Sequence, residues 1–111
     1  MKREYRLLKN YDFQKVIQAK KSAVNKSFVA YVIKNDLGKA RIGITISNKY
    51  GCAVERNKAK RQVREMVHEI FDYSLAVDIV IIIRKEFANR SFQKNKEELL
   101  FIYKKLIEKV D

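Results

Sequence analysis

The sequence predicts an α+β fold: a small two-layer sandwich in which helices pack on a twisted mixed sheet. Three observations carry this. Apolar residues recur at helical spacing in three segments and alternate or run together in three others, in the order α-β-β-α-β-α, with room for one extra short strand. The chain has 111 residues, which sets one domain, 1–111, as the expectation. Its 47% apolar content can fill one modest core. With three Gly and no Pro, there is little to break it into linkers.

Asn10 to Lys20 reads as the first helix. Phe13, Val16 and Ile17 share a face, and Asn10 or Asp12 is expected to cap it. Ser27 to Lys34 reads as a strand with faces Phe28, Ala30, Val32 and Val29, Tyr31, Ile33; both are largely apolar, so both should be covered. Asn35-Asp36-Leu37-Gly38 signals a turn, and Ala40 to Ser47 a second strand, so the two are expected to pair as a hairpin. A helix follows from about Val54 to Tyr73. Asp78 to Arg84 has the unbroken aliphatic centre of a central strand. Ser91 should cap a last helix whose stripe is Leu99, Ile102, Tyr103, Leu106 and Val110.

The charge is strongly positive and unevenly placed. The chain has 25 Lys and Arg against 13 Asp and Glu, a net +12. Residues 1–64 carry 17 basic and 4 acidic residues; residues 65–111 carry 8 and 9. A positive field concentrated in one part of a chain attracts phosphate polyanions. Composition alone does not exclude a general RNA-binding or ribosomal-type protein. Cys52 has no partner for a disulfide, and one thiol with one His makes a poor metal site. The N-terminus shows no apolar signal region, and the longest aliphatic run, Ile79 to Ile83, is too short to span a bilayer. A cytoplasmic protein with no membrane association is expected.

The second segment of helical spacing is the informative one. Ala59, Val63, Met66, Val67 and Ile70 fall on one side of a helix. Arg56, Lys60 and Arg64 follow one another at i, i+4, i+8 along the flank of that stripe, and Arg61 widens the positive surface. Like charges at i, i+4 repel. Cations near a helix N-terminus also oppose the macrodipole. Both costs become sensible if phosphates arrive, because the free N–H groups and the dipole then favour the anion. Farther along, Glu65, His68, Glu69 and Asp72 share a face, and Glu65-x-x-His68 has the spacing of a carboxylate metal motif. No second Glu-x-x-His exists to complete such a site, and the face lies opposite the apolar stripe. It reads as a solvated acidic face rather than a protein-only nuclease centre, so no catalytic or metal-ligating residue is expected.

Around the basic helix the chain resembles the bacterial ribonuclease P protein family. That family's pattern is Gly-x-Ala-Val-x-Arg-Asn-x-x-Lys-Arg-x-x-Arg, matched here by Gly51, Ala53, Val54, Arg56, Asn57, Lys60, Arg61 and Arg64. Asp12 to Val16, Phe28 to Tyr31, Arg41 to Ser47 and Asp78 to Lys85 resemble its first helix and three strands; the last helix agrees only in position. Four departures stand out. Lys58 stands where the family usually has the second Arg of an Arg-Asn-Arg signature within that pattern; the charge is kept but the forked geometry is lost. Asn48 replaces a common Lys, Ile17 a frequent aromatic residue, and Cys52 a common Asn.

The resemblance implies a protein that is not itself the catalyst. A large RNA subunit cleaves precursor tRNA at the mature 5′ end with Mg²⁺; the protein alone binds no cofactor and requires no protein partner. By position, Arg56, Asn57, Lys58, Lys60, Arg61 and Arg64 would contact that RNA. Phe13, Ile17 and Tyr31 would line a cleft for the 5′ leader of precursor tRNA, flanked by Lys49 and Lys85. Read from the residues alone, Phe13 and Tyr31 serve core packing as readily as a cleft. The resemblance further implies a left-handed β-α-β crossover through the basic helix, against the general right-handed rule.

Overall fold

The computed structural model describes residues 1–110. Ten elements follow in order. They are a 3₁₀ turn (Arg3–Tyr5), α1 (Asn10–Gln18), β1 (Ser22–Val24), β2 (Phe28–Lys34), β3 (Arg41–Ile46), a 3₁₀ turn (Asn48–Tyr50), α2 (Ala53–Ile70), β4 (Val77–Ile83), a 3₁₀ turn (Lys85–Asn89) and α3 (Phe92–Lys109). The extra short strand is β1. The sheet is mixed and four-stranded, in the order β1-β2-β4-β3.

The expected hairpin does not form. β4 inserts between β2 and β3, antiparallel to the first and parallel to the second. Composition explains the placement. Six of the seven β4 residues are buried, which suits a strand flanked on both sides. β3 alternates Arg41, Gly43 and Thr45 on one face, a pattern an edge tolerates. The turn between β2 and β3 is real: Asn35 Oδ1 accepts the Leu37 N–H at 2.9 Å, and Gly38 takes φ 71°. Its backbone, however, bonds to the approach to β4. Asn35 N–H reaches the Ala76 carbonyl at 3.0 Å, and Ala40 N–H reaches that of Tyr73 at 2.9 Å.

The main core lies on the sheet face covered by α2 and α3. Phe28, Ala30 and Val32, Ile42, and Ile79, Ile81 and Ile83 meet Ala59, Val63, Met66 and Val67 of α2 and Leu99, Ile102 and Leu106 of α3. Ser91 caps α3 as expected, its side chain accepting the Lys94 N–H at 3.1 Å. Buried Asn95 ties α3 down: it donates to the Phe87 carbonyl at 3.0 Å and accepts from Ser27 Oγ at 2.7 Å.

A smaller cluster lies on the opposite face, where α1 sets Val16, Phe13 and Ile17 against Val80, Tyr31 and Leu7. Neither Asn10 nor Asp12 caps α1; Lys9 occupies the N-cap with no side-chain bond, and Asp12 turns to Arg41 instead. α1 ends at Gln18, and Lys20 closes it at φ 61°. α2 ends at Ile70, three residues short of the expected Tyr73. Asp72 accepts both the N–H and the hydroxyl of Ser74, a local turn that competes with the helix.

Candidate nucleic-acid interface

The apolar stripe of α2 fixes its rotation. With Ala59, Val63, Met66 and Val67 buried, the i, i+4, i+8 row falls at the boundary between core and solvent, and Arg56, Lys60 and Arg64 are each half-buried. Asn57, Lys58 and Arg61 are exposed. Arg56 is held in place, its Nη1 donating to the Gly51 carbonyl at 2.7 Å. Among the described residues, none of the five cations of this stretch pairs with a carboxylate, whereas Lys39, Arg41, Arg90 and Lys96 all do. The one acid in the first turn, Glu55, folds back on the helix start and accepts the Cys52 N–H at 3.1 Å. That backbone bond, then one from the Cys52 side chain, holds its carboxyl below the usual range. The α2 cations are thus left free for an outside anion.

Lys60 and Arg64 overhang the outer edge of β3. They line a 160 Å³ depression together with Arg6, Leu7, Phe13 and Gly43. The N-terminal segment bridges to this edge at Ile42, opposite Arg6, where Leu7 N–H donates to the Ile42 carbonyl at 3.1 Å. Backbone groups point alternately to the two edges of a strand, so those of Ile44 and Ile46 face the same open side.

The sheet face beneath α1 is organised in rows. Pairing places Ser22, Tyr31, Val80 and Gly43 in one row, and α1 crosses it. The next row is Val24, Val29, Ile82 and Thr45. It is more open: Val24 is 55% exposed and the other three keep partial exposure, while Val80 is fully buried. Beyond this row, where β3 and β4 end and β2 begins, stand Lys26, Lys49, Arg84 and Lys85, all exposed.

The structure therefore brings Phe13, Ile17 and Tyr31 together and places Lys49 and Lys85 just past the ends of β3 and β4, at one end of the sheet. Phe13 and Tyr31 are half-buried, so each both packs and borders the groove. Sequence reading missed Ile82, Thr45 and Lys26. Their membership follows from strand pairing, and the mistaken hairpin hid it.

On the far side of the α1 row, Arg41 makes a two-pronged contact with buried Asp78. Nε lies 3.0 Å from Oδ1 and Nη2 2.6 Å from Oδ2, while Nη1 lies 3.7 Å from Asp12 of α1. The Asp78 hydrogen bond, above the opposing effect of burial, raises the Arg41 pKa further. Asn35 Nδ2 donates to the same carboxylate at 2.8 Å. This network joins α1 to the sheet.

The acidic face of α2 gathers no centre. Glu65, His68 and Glu69 are exposed, Glu69 pairs with Lys96, and Asp72 lies past the helix end. Among the described residues, no three His, Cys, Asp or Glu side chains come together as a metal-binding group. No helix of the described chain is long and apolar enough to cross a membrane.

The family model described as Ribonuclease P matches residues 1–107. The chain is 37% identical over 110 residues to the ribonuclease P protein component of Mycoplasma mobile, covering 99% of this chain and 93% of that protein. It is 42% identical over 106 residues to the Listeria welshimeri protein component, covering 94% and 89%. The fold superposes on the RNase P protein of Staphylococcus aureus with TM-score 0.83, at 36% identity over 90% of this chain and 93% of that one. For the Thermotoga maritima RNase P protein the TM-score is 0.74, at 35% identity, over 86% and 91%. With the family model matching nearly the whole chain and relatives above 30% identity covered almost end to end, the chain belongs to the ribonuclease P protein family.

Proposed function

We propose that this chain is the protein subunit of a ribonuclease P ribonucleoprotein and that two adjoining surfaces divide its work. Arg56, Lys60 and Arg64, with Asn57, Lys58 and Arg61 around them, hold the catalytic RNA. The sheet face beside α1 holds the 5′ leader of precursor tRNA, with Phe13, Ile17 and Tyr31 along one wall and Lys49 and Lys85 at its end. The observation that carries this reading is the cationic flank of α2, unpaired among the described residues, meeting a partly open aromatic and aliphatic sheet face around one strand edge.

Each surface suits its ligand. The α2 flank offers forked Arg donors and a helix N-terminus to phosphate oxygens. A groove with stacking side chains and a basic rim accepts single-stranded RNA with little regard to base identity. Mg²⁺ would belong to the RNA subunit, where it supplies the charge stabilisation of phosphodiester hydrolysis. The protein's own residues bind and orient the two RNAs, and the site of action is the cytoplasm. The test is reconstitution. Added to a ribonuclease P RNA at low Mg²⁺, the protein should restore cleavage of precursor tRNA, and without that RNA it should not cleave precursor tRNA in Mg²⁺ or Mn²⁺. Cleavage by the protein alone would sink the reading. Binding without restored cleavage would favour a general RNA-binding protein.

A further inference from the structure

The open row of the sheet runs out at β1, whose outer edge has no neighbouring strand among the described residues. Val24 ends that row at 55% exposure. Just beyond it, α3 overhangs the edge from the other face, and the Lys109 ammonium donates to the Ser22 carbonyl. One turn earlier, the Lys105 ammonium stands 5.6 Å over the ring of Phe101, which is 51% exposed. Phe101, Lys105 and Lys109 line a 430 Å³ groove with Ser22 to Val24. The core does not need Phe101, because Leu99, Ile102 and Leu106 already fill the buried stripe of α3. At 100° per residue, Lys105 and Lys109 fall on the flank of Phe101 that faces β1, and Glu97 and Glu108 on the opposite flank. Lys20 and Lys21 add exposed charge at the start of β1. Among the described residues, none of these four lysines pairs with a carboxylate.

We infer that this groove is a second single-stranded RNA site, continuous with the leader groove: a longer 5′ leader crosses Val24 and the β1 edge, stacks a base on Phe101, and sets its phosphates against Lys105 and Lys109. The inference rests on the leader reading above. An exposed aromatic ring between cations suits a base and its flanking phosphates. A second copy of this chain fits less well. A two-fold interface here would set the same lysine cluster against itself, and like charges brought together repel.

The experiment uses the reconstituted ribonucleoprotein and a series of precursor tRNAs with stepwise longer leaders, reading the dissociation constant at each length. Affinity should rise again once the leader passes the Tyr31 groove, and Phe101→Ala should remove that second rise, a loss of about fivefold or more. Phe101→Trp should keep it, and Lys105→Ala with Lys109→Ala should flatten the salt dependence for long leaders only. Tyr31→Ala should weaken short and long leaders alike. If Tyr31→Ala weakens binding but Phe101→Ala changes nothing at any length, this site is refuted and the leader groove stands. If neither substitution matters, the leader reading itself fails and takes this inference with it. A dimer in sedimentation that Phe101→Ala dissociates, with no leader dependence, would overturn the inference in favour of self-association.

Discussion

The ring tip of Phe13 occupies the space that a β-carbon on residue 43 would need, with Cε2 2.6 Å from that position. Gly43 is thus the seat of α1 on the sheet. Gly43→Ala should lower stability by about 1–3 kcal/mol, the cost of overpacking. Urea unfolding checks it. In a Phe13→Leu background the same change should cost less, since neighbours in contact do not add.

Arg41→Met leaves the Asp78 carboxylate, whose side chain is 5% exposed, with Asn35 as its remaining side-chain partner. Losing one partner of a buried pair costs about 3–5 kcal/mol, and the partial exposure of Arg41 places this case at the lower end. Asp12→Asn, at the looser 3.7 Å contact, should cost no more than about 1 kcal/mol. Thermal unfolding of the two variants side by side would reveal whether Asp78 or Asp12 is the principal partner.

Glu55 sets an acid limit on α2. Its carboxyl titrates below its ordinary 4.5, chiefly because it accepts the Cys52 N–H. A lowered folded-state pKa contributes stability above the unfolded value and loses it as pH falls through the folded one. Glu55→Ala should therefore be less stable than the parent at pH 7, and the gap should close on acidification below 4.5. Unfolding curves across that range would expose a gap that stays constant, which would deny Glu55 this role.

The α2 flank should show in salt titrations with a ribonuclease P RNA. Replacing Arg56, Lys60 and Arg64 by Ala should reduce the log–log salt slope by about 0.7 to 0.9 for each lost phosphate contact. Arg56 also braces the Gly51 carbonyl, so its loss should add a stability cost that Lys60→Ala lacks. An unchanged slope in the triple variant would remove this flank from the interface.

Tyr31→Ala should weaken precursor tRNA more than mature tRNA, because the mature form has no leader to lie on the sheet face. Competition binding of the two tRNAs to the reconstituted complex measures it, and equal losses would contradict the assignment.

Much of this molecule was legible in the residues. The three helices, the capping Ser91 and the central character of β4 all follow from periodicity and chain chemistry. The row of Arg56, Lys60 and Arg64 follows from counting turns. The end of α2 and the cap of α1 were lost to side-chain bonds, but the failures of topology share one cause. Local pattern identifies Phe28–Lys34 and Arg41–Ile46 as strands but says nothing of the strand that comes to lie between them. Without that, Tyr31 could be assigned a face but not its neighbours, and Ile82 and Thr45 stayed out of view. The same limit hid the junction at the β3 edge: the basic helix and the aromatic groove read as separate places, while the fold sets Lys60, Arg64 and Phe13 around one depression.

The insertion of β4 between β2 and β3 also dictates an order of events during synthesis. β2 and β3 are complete by Ile46, yet neither can find its main partner until the chain reaches Ile83. Until then the polypeptide made is the most cationic part of the chain, with the short β1–β2 pairing as the sheet contact available to it. Long-range pairing of this kind slows folding because loop closure must precede the reward. The last strand to be made is the wedge that completes the sheet and, in the same step, creates the surface on which the leader would lie.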